Sequence, residues 1–333
     1  MLDEKGKEIC FKNVRGYYNT KLLMTLSRLG LFNNINIDEI FDVNIISKTH
    51  NILKDHLSCI LDYLVITGFF TKTSDSTYIL SDIGKDFLPY YGYLFMMVGA
   101  YEPVFNNLPN VLNGKLVYGE HIARDGKEVA LGMNYIEDFF LDSLRNIISE
   151  IEFKKVLDIG CGNANVLTEI CKMKSNVTGI GIDINKDVCN EAIKKVNGLG
   201  LNNRIKILNT DFFDMAKDDN LFDGLDLVLV MFLMHEILKQ RLKNGTVEYL
   251  RKISSVLGKN GQLLIIEVSR NTSVQYKENL LFIPEYELVH NFSNQQLATI
   301  NEWEDILNEA ELVIVDTKPI GICQAFGLFA KKG

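Results

Sequence analysis

The chain of 333 residues is 47% hydrophobic and 23% charged, which is the composition of a globular protein with apolar side chains enough for one or two cores. Its net charge of −8 argues against an electrostatic grip on nucleic-acid phosphates, because such a grip needs clustered lysine and arginine. No apolar run reaches the roughly 18 residues that a membrane span needs, the first residues lack a signal-peptide pattern, and the six cysteines have no metal-binding spacing. These features predict a cytoplasmic protein that binds neither nucleic acid nor a membrane.

The first part of the chain mostly shows the 3.6-residue period of amphipathic helices. Two helical segments that end near Gly30 and Gly68 precede two short extended pieces around a polar tip at residues 74–76. Helix, helix and hairpin in this order predict a winged-helix-like domain over residues 1–150. Because a basic recognition helix is missing from the sequence, we interpret it as a dimerisation and substrate-covering domain, and DNA binding is the disfavoured alternative.

Beyond Phe153, short apolar strands alternate with helical stretches. The strand segments are KKVLDIGCG, NVTGIGIDIN, RIKILNTDFFD, DLVLVMFLMHE and GQLLIIEVSR. This alternation predicts a parallel α/β sheet with helices on both faces, in a domain of residues 151–333. The segment from Trp303 onward predicts one helix and two strands with a short link, so that the last strand runs antiparallel to the others. The expected fold is therefore a doubly wound, seven-stranded Rossmann-like sheet behind an N-terminal, mostly helical domain.

The segment VLDIGCGNAN lies where the first of these strands passes into a helix. Gly160 and Gly162 allow the backbone to turn tightly and to approach a ligand closely. The last glycine of the dinucleotide-binding pattern GxGxxG is missing, and Asp158 stands inside the strand just before the loop. A carboxylate at that position disfavours a pyrophosphate and favours a cationic or zwitterionic ligand. A flavodoxin-like or NAD-binding sheet is the alternative interpretation.

The next two strands also end on polar residues. Asp183 is placed to accept hydrogen bonds from ribose hydroxyls. Asp211 and Phe212 could hold an adenine amino group and cover its ring. Together, VLDIGCG, the strand ending in Asp183 and NTDFF resemble the class I S-adenosylmethionine-dependent methyltransferases over residues 150–333. The resemblance implies that S-adenosylmethionine is the cofactor and that these residues bind it.

The whole chain is similar to a narrower group, the small-molecule O-methyltransferases of plants and bacteria. Helical N-terminal halves in that family typically form homodimers and close the substrate pocket, and both properties are expected here. The segment TINEWEDILNEAEL matches a late segment of the family around Trp303, although Glu311 stands where glycine is usual. A non-catalytic dimeric regulator that senses S-adenosylmethionine is a remote alternative, which the missing basic surface disfavours.

The fourth strand segment runs into His235 and Glu236, and ligands of parallel sheets gather at the carboxyl ends of the strands. In the O-methyltransferase family the corresponding histidine is a general base that takes a proton from a phenol or hydroxyl, a role that suits imidazole. Here the usual His-Asp-Trp followed by an acidic residue is replaced by HEILKQ. If His235 acts alone, with Glu267 at the end of the fifth strand to orient it, the reaction is O-methylation.

The runs FLMHE and YELVH resemble metal-site segments of the family's 2-oxoacid C-methyltransferase branch. This likeness implies that His235 and His290 bind one divalent metal ion, iron or zinc, beside Glu236. A metal chelated by the 2-oxo and carboxylate oxygens would favour the enolate, whose carbon 3 attacks the methyl group, and Arg124 could pair with the carboxylate. The favoured prediction is metal-assisted methylation at carbon 3 of a 2-oxoacid in secondary metabolism, with an apolar or aromatic side chain on the acceptor.

Overall fold

The computed structural model describes residues 4–31, 40–215, 220–222, 224–270, 283–293, 295–320 and 325–333. By contact density the chain forms two compact units, Met1–Glu102 with Asp125–Ile136 and Pro103–Arg124 with Glu137–Gly333. The predicted domain boundary at residue 150 stays a prediction, because compactness and function need not divide a chain at the same place. None of the described helices is both long and apolar enough to cross a membrane.

The described elements fall into helices and strands as follows. The α-helices are α1 (Glu4–Arg28), α2 (Val43–His50), α3 (Lys54–Ile66), α4 (Asp82–Phe87), α5 (Glu102–Asn106), α6 (Leu108–Leu112), α7 (Gly126–Ser149), α8 (Asn165–Met173), α9 (Lys186–Gly198), α10 (Met234–Val256), α11 (Ile283–Asn291) and α12 (Ile300–Glu309). The strands are β1 (Phe41–Asp42), β2 (Phe70–Lys72), β3 (Thr77–Leu80), β4 (Lys155–Ile159), β5 (Thr178–Asp183), β6 (Ile205–Asn209), β7 (Leu225–Met231), β8 (Leu257–Val268), β9 (Leu312–Ile320) and β10 (Ala325–Lys332).

The first unit is mostly helical around a small antiparallel sheet of order β1-β3-β2. Asp42 caps α2 by accepting a hydrogen bond from the amide of Asn44 at 2.8 Å, which satisfies a donor that the helix start would leave unpaired. Helices α1 and α3 and the sheet bury one apolar cluster that includes Met24, Leu57 and Tyr78. The predicted helices that end near Gly30 and Gly68 are α1 and α3, and the predicted hairpin is β2–β3. Helix α2 lies between them and was not predicted, and the assignment as a winged helix stays a prediction.

The second unit contains the sheet on which the site is built. Its strand order is β6-β5-β4-β7-β8-β10-β9. Strands β6, β5, β4, β7 and β8 run parallel, whereas β10 is antiparallel to both β8 and β9. This confirms the predicted seven-stranded sheet with a reversed last strand; the link at residues 321–324 lies outside the described residues. Strands β4 and β7 are buried almost throughout, as expected for parallel strands with covered faces.

The prediction that His235 closes a strand is wrong. Strand β7 ends at Met231, and His235 lies in the first turn of α10. The amide of Phe232 still donates to the carbonyl of Ile266 at 2.8 Å, but Phe232 has a φ of 51°, so the chain turns there. The apolar residues that follow are buried on a helix instead of a strand, and a continuous apolar run cannot tell these two environments apart.

Gly181 allows β5 to pack closely against Cys161, which lies in the loop between β4 and α8. A Cβ atom at Gly181 would lie 2.8 Å from Cys161 Sγ and from Ile207 Cδ1, and 2.9 Å from Leu167 Cδ1. We expect Gly181→Ala to lower the free energy of unfolding by roughly 1–3 kcal/mol, because three packed neighbours must move at once. The matched control is Gly198→Ala on α9, where a Cβ would meet nothing within 4 Å. Urea denaturation of both variants checks this, and equal stabilities would contradict it.

Candidate active site

The loop between β4 and α8 has the geometry that its glycines predict. Gly160 and Gly162 have φ values of 78° and 54°, which only glycine adopts without strain. The Gly160 amide donates to the carbonyl of Ile182 at 2.8 Å, and the Gly162 amide donates to Asp183 Oδ2 at 3.0 Å. A Cβ atom at Gly162 would meet nothing within 4 Å, so the backbone is open to a ligand on that side. The loop and the end of β5 thus form one surface.

Asp158 is a fully buried acid near the end of β4, behind this surface, and it is not among the residues that line the cavity described below. Among the described residues, neither of its carboxylate oxygens has a hydrogen-bond partner. Burial, followed by the nearby Asp183 carboxylate, raises the pKa of Asp158 to about 7. A buried carboxylate without a partner suits a ligand that brings a cation or donors to it, which fits the amino and sulfonium groups of S-adenosylmethionine.

Beside this loop lies a cavity of about 260 Å³. Its lining includes Gly160, Asp183 and Asp211, which come from the ends of three neighbouring parallel strands. Ile184 also lines the cavity, and its side chain is 77% exposed. An apolar side chain left in the open beside an acid suits the flat face of a nucleoside. Ile184 was not predicted from the sequence, although its position directly after Asp183 was a usable signal.

Asp211 and Phe212 come soon after the end of β6, the third strand of the predicted sheet, but their side chains have different surroundings. Asp211 accepts a hydrogen bond from the amide of Phe213 at 2.8 Å and lines the cavity. Phe212 is buried in the core, where its ring lies 5.7 Å from that of Tyr249 and 6.2 Å from that of Phe222. Phe212 therefore lines the cavity as part of a packed wall. The roles predicted for both residues at the adenine stay predictions.

His235 is held by a buried carboxylate. Its Nδ1 lies 2.8 Å from Glu267 Oε2, and its backbone amide donates to Glu267 Oε1 at 3.2 Å. Glu267 is fully buried at the end of β8. Because a carboxylate only accepts hydrogen bonds, Nδ1 carries a proton, so the lone pair of the neutral form of this ring is at Nε2. Glu267 thus orients His235 as the sequence analysis expected for a histidine that acts alone.

The second histidine, His290, lies next to the first. The centroids of the two imidazole rings are 5.2 Å apart, with an angle of 78° between the planes. His290 Nδ1 is 2.7 Å from the carbonyl oxygen of Tyr286, whose ring stacks on the imidazole at 4.0 Å. Burial, followed by His235 and Arg124, lowers the pKa of His290 to about 3. At neutral pH this ring is therefore uncharged, with its lone pair also at Nε2.

Glu236 and Arg124 lie together near the histidines. Glu236 Oε1 accepts a hydrogen bond from Gln295 Nε2 at 2.7 Å and lies 3.4 Å from Arg124 Nη2. Ser293 donates to Gln295 Oε1 at 2.9 Å, which fixes the orientation of the amide. Both donors reach the same oxygen of Glu236. Gln295 and Ser293 were not predicted from the sequence; the signal for them was a pair of polar residues soon after YELVH.

The predicted metal site is not complete within the described residues. In that part of the chain, no group of three or more His, Cys, Asp or Glu side chains is arranged to hold a metal ion. His235 and His290 are two adjacent nitrogen donors, and two protein ligands are fewer than the three that catalytic zinc sites usually have. Metal binding at this pair therefore stays a prediction.

Because Asp158 is buried, we expect the free energy of unfolding to depend on pH. The pKa of Asp158 is about 7 in the folded protein, whereas an unfolded Asp has a pKa near 3.9. As pH rises from about 4 to 7, the unfolded chain loses this proton first, so the free energy of unfolding of cofactor-free protein should fall by a few kcal/mol. Asp158→Asn should remove this loss. Urea denaturation from pH 4 to 8 checks it, with exposed Asp305→Asn as control; parallel curves for the wild type and Asp158→Asn would refute it.

Comparisons with known proteins agree with this geometry. Residues 152–311 match the family model of a methyltransferase domain. A 2-ketoarginine methyltransferase of Streptomyces arginensis is 26% identical over 310 residues, which cover 91% of this chain and 87% of that protein. O-methyltransferase 12 of Dictyostelium discoideum is 23% identical over 275 residues, which cover 76% of this chain and 68% of that protein.

Solved structures share the fold over nearly the whole chain. The mitomycin 7-O-methyltransferase MmcR has a TM-score of 0.74 at 16% identity and covers 99% of this chain and 98% of its own. The O-methyltransferase NcsB1 from neocarzinostatin biosynthesis, in complex with S-adenosylmethionine, has a TM-score of 0.62 at 15% identity and covers 95% and 96%. This chain is therefore an S-adenosylmethionine-dependent methyltransferase with the fold of the small-molecule O-methyltransferases.

Proposed function

We propose that this enzyme methylates carbon 3 of a 2-oxoacid, a small acceptor with an apolar or aromatic side chain, in secondary metabolism. The observation that carries the proposal is the buried pair of His235 and His290, with ring centroids 5.2 Å apart. The 2-ketoarginine methyltransferase, similar over 91% of this chain, supports it, because the substrate that gives that enzyme its name is a 2-oxoacid.

The two histidines form a pair of metal donors. Each Nδ1 faces an oxygen acceptor, Glu267 for one ring and the Tyr286 carbonyl for the other, so the lone pair of each ring is at Nε2. Within the described residues, no hydrogen bond involves either Nε2 atom. Because burial keeps the pKa of His290 at about 3, a proton does not compete with a metal there at neutral pH. Neutral imidazole nitrogens are suitable ligands for iron or zinc.

A divalent ion at this pair would act as a Lewis acid toward the 2-oxo group and make the hydrogen on carbon 3 more acidic. Glu267 would hold His235 in the required tautomer, a role that outer carboxylates play for metal-bound histidines. The guanidinium of Arg124 would bind the substrate carboxylate. Its ion pair with Glu236 is long, at 3.4 Å, and partly exposed, so exchanging that partner costs little. In the net reaction, carbon 3 exchanges one hydrogen for the methyl group, and a proton and a neutral thioether leave.

O-methylation is the second candidate, and the contact between His235 and Glu267 favours it specifically. A histidine backed by a buried carboxylate at 2.8 Å can take a proton at Nε2 and keep the resulting charge stabilised. The same lone pair cannot bind a metal and accept a proton at once. The two candidate reactions are therefore mutually exclusive uses of one nitrogen atom.

Metal content distinguishes the two candidates. We expect untagged wild-type protein to bind iron or zinc near one equivalent per chain, because the paired Nε2 atoms are uncharged donors. His290→Ala should lose the metal, and activity on 2-oxoacids should fall at least about tenfold with it. The control is His121→Ala, which removes an exposed histidine and should change neither quantity. Mass spectrometry of metal content and a methyl-transfer assay measure both.

A metal-free wild-type protein that methylates phenols or hydroxyls would sink the C-methylation proposal and favour His235 as a base. If the metal-free protein nevertheless methylates 2-oxoacids, C-methylation stands and only the role of the metal in the proposal is refuted. The acceptor panel should vary the side chain of the 2-oxoacid from apolar to aromatic to cationic, since the relative's substrate carries a guanidinium group.

We also propose that the enzyme acts as a homodimer through α1. Every side chain from Glu4 to Tyr18 is exposed in the single chain. Five of them are large and apolar or aromatic, with exposed fractions of 43–63%: Ile9, Phe11, Val14, Tyr17 and Tyr18. Exposed apolar surface of this extent on one helix is typical of a protein–protein interface.

The dimer proposal predicts a solution mass of twice 37.8 kDa. The double variant Phe11→Glu with Tyr18→Glu should behave as a monomer, because it would bury charge in the interface. Ile66→Glu, at another exposed apolar position, should leave the mass unchanged. Light scattering after size exclusion measures this, and a monomeric wild type would overturn the proposal.

A further inference from the structure

We propose that Arg241 is a cofactor-binding residue that closes the adenine end of the cavity. It lines the cavity together with Asp211, the acid expected to hold the adenine amino group. Its guanidinium carbon lies 4.1 Å from the ring centroid of Phe213 and 5.9 Å from that of Tyr249. Its Nη2 atom lies 3.5 Å from Asp211 Oδ2. The proposal concerns the cofactor alone and holds whichever acceptor the enzyme uses.

A strained turn places Arg241 at this position. The next residue, Leu242, interrupts α10 with φ 57° and ψ 178°, a conformation that residues other than glycine rarely adopt. The Leu242 side chain is 68% exposed, so its burial does not account for the strain. The buried Thr246 holds the turn by donating to the Leu242 carbonyl at 2.8 Å. The backbone of Leu242 therefore kinks α10 at a cost in conformational free energy. Because of this kink, the helical turn that carries Arg241 ends at the cavity.

The surface beneath Arg241 is rigid. The rings of Phe213 and Tyr249 are parallel within 5°, with centroids 6.0 Å apart. The buried Lys252 donates to the carbonyl oxygens of Phe213 and Met215, which ties the loop after β6 to α10. A guanidinium held over an aromatic ring is already positioned and loses little entropy when a ligand joins it.

The chemistry of the pair matches the edge of adenine. A carboxylate accepts hydrogen bonds from the exocyclic amino group, and a guanidinium donates to ring nitrogens. The present contact between Arg241 and Asp211 is a long ion pair, with side chains 30% and 37% exposed, so it contributes little and exchanges readily. Arg241 and Asp211 together could therefore recognise a donor and an acceptor on the same base.

The test is isothermal calorimetry of the full-length protein with three probes: S-adenosylmethionine, S-adenosylhomocysteine and adenosine. We expect Arg241→Met to weaken all three by a similar factor of roughly ten, because the probes share the adenine. Arg241→Lys should fall between the wild type and Arg241→Met, since it keeps the charge but loses the planar guanidinium and its several donors. The matched control is Arg251→Met on the same helix, where the guanidinium donates to the Glu309 carbonyl at an exposed position; its affinities should not change.

Melting temperatures of the four proteins separate binding from folding. If Arg241→Met does not fold, the comparison of Arg241→Lys with the wild type decides the question. Affinities within twofold of the wild type in the folded variant would overturn the proposal. It would equally be overturned by a variant that binds adenosine normally and the two larger probes weakly, because Arg241 would then act at the other end of the cavity.

Discussion

The buried carboxylate of Glu267 is the constraint on which the site depends. A fully buried carboxylate must be matched by donors, since an unpaired charge in the interior is very costly. Glu267 obtains two from one residue, the amide and the ring Nδ1 of His235. This double contact fixes where α10 begins relative to the end of β8. The positions of the later residues in the first turns of α10 follow from this starting point.

The start of α10 contributes residues to both the region assigned to the acceptor and the cavity assigned to the cofactor. Glu236 meets Arg124 and Gln295, and His235 meets His290, which forms the polar region assigned to the acceptor. Glu236 also lines the cavity assigned to the cofactor, together with further residues of the same turns: Ile237, Gln240 and Arg241. The helix therefore determines the distance between the two ligands, which is what methyl transfer requires.

Burial disfavours charge at two points of this region. It raises the pKa of Asp158 to about 7 and lowers that of His290 to about 3, so each group is displaced toward its neutral form. For His290 the consequence is an available lone pair at neutral pH. For Asp158 it is a carboxylate whose ionised form needs a cationic ligand to be stabilised. Perturbations of this kind are typical of functional sites and cost stability in the ligand-free protein.

Much of the fold could be read from local patterns. The alternation of apolar strands and helices predicted the sheet, the short link before the last strand predicted its reversal, and strand-end acids predicted Asp183 and Asp211 beside the glycine loop. Where the prediction from sequence failed, the failure also had a physical cause. The run Leu227–Met234 looked like a strand throughout, but it is divided between β7 and α10 by a turn at Phe232. A run of apolar residues indicates that a segment is buried, but it does not indicate whether the buried backbone is a strand or a helix.

The sequence by itself thus determined the sheet, the cofactor loop and the residue types at the strand ends, because these depend on periodicity and on glycine's conformational freedom. Only the tertiary structure decided which groups meet. Glu267 and His235 are 32 positions apart, and Gln295 and Glu236 are 59 apart. The position of Arg241 over the Phe213 ring likewise depends on a kink at a leucine that no propensity indicates. Contacts between distant segments arise from packing, and a single sequence shows the partners without showing the distance between them.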